Sequence, residues 1–190
     1  MRSRPFTIFC LKVFLWLPVT FGIWYFMAIV ITSAITWLVE RSLTNLFSEV
    51  FAAVHQKGYH LEFLVKNTAG SGLAGCDVNS LVYSNGLALY TALVLASSGE
   101  EGQKWLRWLM GITILLFVSA WGVGLGAIKT VMEVIPEVRG NFTFPLWLGR
   151  AISISSRYNV LILPTIMPVI IWIGFHKSFL KQLVPNIARE

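Results

Sequence analysis

The sequence predicts an all-α membrane protein with about four transmembrane helices, an amphipathic surface helix and a small extracytoplasmic β-hairpin. Three observations carry that prediction. Of the 190 residues, 56% are hydrophobic and 13% charged, roughly half the charged share of a soluble domain, and the mean hydropathy is +0.70. The apolar residues gather into uncharged blocks: Val13 to Val39 runs for 27 residues and Trp108 to Ile128 for 21, where a helical crossing needs about 20. Aromatic residues with a polar edge stand near the ends of the blocks, at Trp37, Tyr83, Trp105, Trp108, Trp147, Tyr158 and Trp172, as expected of rings that favour the boundary between headgroups and hydrocarbon.

The first block follows Arg2, Arg4 and Lys12. A cleavable leader also begins with positive charge, but its apolar core is shorter, about 7 to 15 residues; an uncleaved anchor over 13–39 is expected. Pro18 lies inside it and removes one backbone donor, which predicts a bend. From Leu43 to Val54 the apolar positions 43, 46, 47, 50, 51 and 54 fall on one face of a 3.6-residue period, which predicts a helix lying along the membrane surface or packed on a partner. Residues 59–67 and LAGCDVN flank the turn-rich Thr68 to Gly72, which predicts two paired strands.

Leu81 to Ala96 supplies 16 uncharged residues, and with its polar flanks to Ser98 it is assigned as the second span. The third span is 108–128. Lys129 to Arg157 mixes charges, prolines and glycines with apolar patches and reads as an outer segment with one surface helix. The fourth span is 158–175, with Pro164 and Pro168 inside it. The whole chain, 1–190, is thus a single integral membrane domain, with outer segments over 40–80 and 129–157. No internal repeat is visible.

Net charge is +6 and the pI near 9.6, yet the basic residues are scattered beside apolar runs and form no cluster interleaved with aromatics. Anionic headgroups of the lipid bilayer account for the excess, and no nucleic acid partner is expected. Placing both termini on the cytoplasmic side puts Arg2, Arg4, Lys12, Lys104, Arg107, Lys177, Lys181 and Arg189 inside, eight in three short segments, against seven spread over two longer outer ones. The positive-inside rule favours this orientation.

Few residues offer chemistry. Gly122 and Gly126 form a GxxxG, where a second helix or a partner can approach closely. Pro164 and Pro168, four apart, lie on one helical face, and each frees a carbonyl for a neighbour to satisfy. A broken helix of this kind also occurs at transport sites, but no ionisable residue lies deep in any span, and the transporter reading lacks its usual sign. Cys10 and Cys76 are expected to be free thiols. Catalysis by Cys76 would require a neighbouring base or cation, with His60 or Arg150 the available neighbours. His55, His60 and His176 do not have the spacing of a metal set, and no cofactor is expected. Asn141-Phe-Thr143 matches a glycosylation sequon.

The ordered elements KVFLWLP at Lys12–Pro18, DVNSLVYSNGLALYTALVLA at Asp77–Ala96, Lys129-Thr130 followed by Pro136-Glu137-Val138, and Tyr158 to Pro164 through Pro168 to Trp172 resemble the exosortase H-associated membrane proteins over most of the chain. That family is found beside a membrane cysteine transpeptidase of Gram-negative bacteria, held to process exported proteins with a C-terminal sorting signal. The resemblance implies a non-enzymatic accessory subunit of the inner membrane whose partner is the transpeptidase, and it implies no catalytic residue in this chain. The alternatives are a cysteine peptidase or transpeptidase using Cys76, and a small transporter.

Overall fold

The structure, a computed structural model, describes residues 4–66, 73–97, 101–134 and 146–176. In chain order these form α1 (Arg4–Leu46), β1 (Phe51–Lys57), β2 (His60–Lys66), β3 (Leu73–Asn79), α2 (Leu81–Ser84), α3 (Gly86–Ala96), α4 (Glu101–Val134), α5 (Leu146–Leu161) and α6 (Leu163–Phe175). The sequon at 141–143 and the turn at 68–72 lie outside the described residues.

α1 is 43 residues long, about 64 Å at 1.5 Å per residue, twice the roughly 30 Å of a bilayer's hydrocarbon. The helix runs on through Pro18; two residues beyond it, the Thr20 hydroxyl lies 3.1 Å from the carbonyls of Trp16 and Leu17. The expected first span, 13–39, is therefore the middle of a longer helix. α4, with 34 residues, likewise exceeds the expected 108–128 at both ends.

The expected surface helix over 43–54 is not formed. α1 ends at Leu46, a turn occupies 48–50, and Phe51 opens a strand. The apparent helical period has a physical origin. A bulge between Phe51 and Ala53 leaves Ala52 without a partner in the ladder, so Phe51 and Val54, three residues apart, both turn to the core. Leu43, Val50, Phe51 and Val54 are all buried, whereas Leu46 is exposed. The predicted hairpin is present as β2 and β3, antiparallel from His60↔Asn79 to Lys66↔Leu73. β1 adds a third strand on the other side of β2, giving the order β1-β2-β3.

The buried face of the sheet, with Leu61, Phe63, Val65, Cys76 and Val78, packs with Ile35, Val39 and Leu43 of α1 and with Val123, Ala127 and Val131 of α4. The sheet is thus clasped between the outer halves of the two long helices. Polar contacts fasten it. Thr32 Oγ1 lies 2.7 Å from Ser80 Oγ, which donates to the Tyr59 carbonyl at 2.9 Å, and Gln56 Nε2 donates to the Ile29 carbonyl at 3.2 Å.

The block expected as the second span is α2 and α3, which follow one another across Asn85. With Asn85 between them, residues 81–96 rise about 24 Å, less than the hydrocarbon thickness. α3 packs against α1, α4 and α6, with Leu87, Tyr90, Leu93 and Val94 buried, so it meets protein on most sides. The block expected as the fourth span is likewise divided. α5 ends at Leu161 and α6 starts at Leu163-Pro164, the two bent by 66°. Proline suits the first turn of a helix, where its missing N–H has no acceptor to lose, and here it opens α6 instead of kinking a continuous span.

Among the described residues, two helices qualify as membrane spans by length and apolarity, Phe6–Leu46 and Gln103–Glu133, and three if the bent pair counts as one. The second core cluster lies at the opposite end from the sheet, where Phe9 stacks on Trp172 at 5.2 Å between ring centroids and Trp172 Nε1 donates to Ser97 Oγ at 2.7 Å. Tyr83 and Trp172, expected at the membrane boundary, are core residues, while Trp37, Trp105 and Tyr158 are exposed.

Candidate functional site

Gly122 and Gly126 lie on α4 where the Tyr83 side chain crosses it. A Cβ on Gly122 would stand 2.7 Å from Tyr83 Cδ1, and one on Gly126 would stand 2.5 Å from Tyr83 Oη. The missing side chains are therefore the space that the tyrosine ring fills. Tyr83 is brought there by α2, whose first turn is tied down by the Ser119 hydroxyl, 2.9 Å from the Tyr83 carbonyl and 2.8 Å from that of Leu115. Asn159 of α5 closes the other side of Gly122, with Nδ2 3.1 Å from the same added Cβ. Asn159 is 2% exposed, and its Nδ2 makes no hydrogen bond among the described residues.

Pro164 and Pro168 meet α3. A Cβ on Gly86 would lie 2.5 Å from the Pro164 carbonyl oxygen and 2.9 Å from Pro168 Cγ. Only a glycine lets the backbone of α3 come this near. A third close approach joins Gly111 of α4 to Tyr90, whose Oη donates to the Arg107 carbonyl at 2.8 Å. Sequence reasoning missed Gly86, Gly111 and the two tyrosines. Their signal was a glycine or tyrosine inside an apolar helix without a small-residue repeat, and such a signal shows its meaning only once the partner helix is known.

Cys76 is on the buried face of β3, paired with Phe63. Burial, and secondarily the charge of Asp77, push its thiol up to about 11, so at neutral pH roughly one molecule in ten thousand carries the thiolate. His60 is on the other face of the sheet, its Nδ1 2.8 Å from the Asp77 carboxylate. Alternation along the strands separates the two residues. Lys57 and Glu62 form a second ion pair on that outer face, at 2.7 Å. The side chain of Arg150 lies outside the described residues, and His176 stacks on Trp172 at the far end of the molecule. The structure therefore surrounds Cys76 with apolar neighbours and supplies no base to it among the described residues. Both cysteines are free.

A chain of this kind, with two long apolar helices holding a small sheet, is matched over residues 3–179 by the family model of the exosortase H-associated membrane proteins. The chain belongs to that family. No curated protein and no solved structure matches it. The family's description names an association with exosortase H.

Proposed function

We propose that the chain is a non-catalytic accessory subunit of a bacterial inner-membrane protein-sorting system, packing against the exosortase H transpeptidase or its substrates. It crosses the membrane four times, by α1, α2–α3, α4 and α5–α6, with both termini in the cytoplasm. The family match over 3–179 carries this reading. The surroundings of Cys76 support the non-catalytic part, since a buried thiol raised to about 11 is a poor nucleophile. Gly122, Gly126, Pro164 and Pro168 serve internal packing in this reading, because Tyr83 and Gly86 already occupy the space beside them. Contact with the transpeptidase then falls to exposed surface. α1 offers the most, with 11% of its most apolar stretch buried against 50% for α4.

The test is recovery of this chain with tagged exosortase H after detergent extraction, together with the sorting activity of cells carrying Cys76→Ala at normal protein levels. Co-purification and full sorting activity are expected. Absence of the chain from the purified enzyme would remove the subunit reading, and loss of sorting in Cys76→Ala would reinstate the thiol as a reactive group.

A further inference from the structure

Three features set independently of one another mark the same level of the molecule. On α1, large apolar side chains are exposed from Phe6 through Phe14 and Phe26 to Val30; beyond Val30 only Trp37 and Leu46 are. On α4 the exposed series runs from Trp105 through Phe117 to Trp121 and stops there. The β1–β2 turn is held at that same level of α1 by the bond from Gln56 Nε2 to the Ile29 carbonyl. The two helices are in step, because Ser80 is fixed to Thr32 of α1 and Tyr83, one turn on, lies against Gly122 of α4.

Charge changes at this level as well. The exposed Lys57–Glu62 and His60–Asp77 pairs begin at the turn, and Lys129 and Glu133 follow on α4. Ionised groups of this density do not sit in hydrocarbon. Just below, the rings of Tyr25 and Tyr59 meet at 5.8 Å, in the position aromatic residues take at a membrane boundary. Above, the Arg41 guanidinium covers the Trp37 ring at 5.3 Å, so the exposed tryptophan is sheathed by a charge. The lower limit is the Phe9–Trp172 stack, one turn from the exposed Lys12 of α1, whose long stem can carry its ammonium past the stack to water. From Phe9 to Ile29 α1 rises about 30 Å, the thickness of a bilayer's hydrocarbon.

We propose that acyl chains cover the molecule only between the levels of Phe9 and Val30 of α1, and that residues 31–46 of α1, 123–134 of α4 and the entire sheet stand in water as a rigid stalk about 25 Å high. The paired outer halves of α1 and α4 are apolar toward one another because they grip the sheet, not because they meet lipid. The assignment is independent of which side of the membrane the stalk faces. It rests on the chain being membrane-inserted.

The test is nitroxide labelling of single introduced cysteines in a Cys10→Ser, Cys76→Ala background of the full chain, reconstituted in vesicles of dioleoylphosphatidylcholine with a minor share of dioleoylphosphatidylglycerol. Collision with oxygen, which concentrates in hydrocarbon, is compared with collision with a water-soluble nickel chelate. Phe14, Phe26 and Phe117 report on the lipid band; Trp37, Ser42 and Leu46 report on the stalk. All six are exposed, and Ser42 and Leu46 lie outside both core clusters. Oxygen-dominated relaxation at the first three and nickel-dominated relaxation at the last three is the expected result. Oxygen-dominated relaxation at Ser42 and Leu46 would overturn the boundary while leaving membrane insertion intact, and nickel-dominated relaxation at all six would instead overturn insertion itself.

Discussion

Tyr83 fills the notch left by two glycines through different parts of its ring, and this makes the contact separable by mutation. At Gly126 the obstruction to a methyl group is the phenol oxygen, with the next ring atom 3.3 Å away; at Gly122 it is Cδ1 on the ring body. Gly126→Ala should cost about 1–3 kcal/mol, the usual range for an added methylene in a packed interior, and Tyr83→Phe should restore most of it by removing the oxygen. Gly122→Ala should cost about the same and gain nothing from Tyr83→Phe. Thermal unfolding of the three single variants and the two double mutants in one detergent measures both couplings. Equal rescue at both glycines would mean that the ring does not lie as described. Gly86 is a stricter position, since its obstruction is the Pro164 backbone carbonyl, which cannot swing away as a side chain can.

At the scale of elements, the stretch from Leu43 to Val54 shows why part of this fold was legible in the sequence and part was not. The long uncharged runs of α1 and α4 could be read because their length alone exceeds what a soluble core holds. The β2–β3 pair could be read because turn residues separate two short apolar runs. β1 could not, since the bulge at Ala52 gives a strand the i, i+3 spacing of a helix. The limits of α1 and α4 were also hidden: each continues past its lipid-like portion into a portion that is apolar for the sheet's sake, and composition does not distinguish the two. The division of 158–175 depended on Pro164 opening a helix instead of bending one, which is a matter of where the preceding helix stops. Deleting Ala52 tests the role of the bulge. The deletion leaves Phe51, which is 1% exposed, opposite Val65 and two residues before Val54, so it stays on the buried face of a regular strand, and the change should cost no more than about 1 kcal/mol. Ala52→Gly, which keeps the count of residues, should cost less than about 1 kcal/mol. Comparable resistance to limited proteolysis within β1 is expected of the two variants, and rapid cleavage of the deletion variant alone would show that the sheet needs the bulge.

For the molecule as a whole, the arrangement of its ends supports the proposed even number of crossings before any rule about charge is applied. Phe9, near the start of α1, stacks on Trp172, near the end of α6, and Trp172 is bonded to Ser97 at the end of α3. Lys104, near the start of α4, reaches the Leu95 carbonyl at 3.4 Å. The start of α1, the facing ends of α3 and α4 and the end of α6 therefore share one end of the molecule, and the sheet occupies the other. In the proposed orientation charge selects the side: by sequence, eight of the 15 basic residues fall within 1–12, 98–107 and 176–190, and short segments rich in Lys and Arg remain in the cytoplasm. Fusions of a fluorescent protein, active only in the cytoplasm, and of alkaline phosphatase, active only outside it, read the two steps separately. Carriers at residue 1 and at residue 190 should both fluoresce, and phosphatase inserted between residues 67 and 72, at the far end of β2, should be active. Fluorescence at one terminus alone would contradict the Phe9–Trp172 contact itself. Phosphatase activity at both termini would leave that contact standing and reverse the orientation, carrying the sheet and its polar outer face to the cytoplasm, away from any partner that works on exported chains.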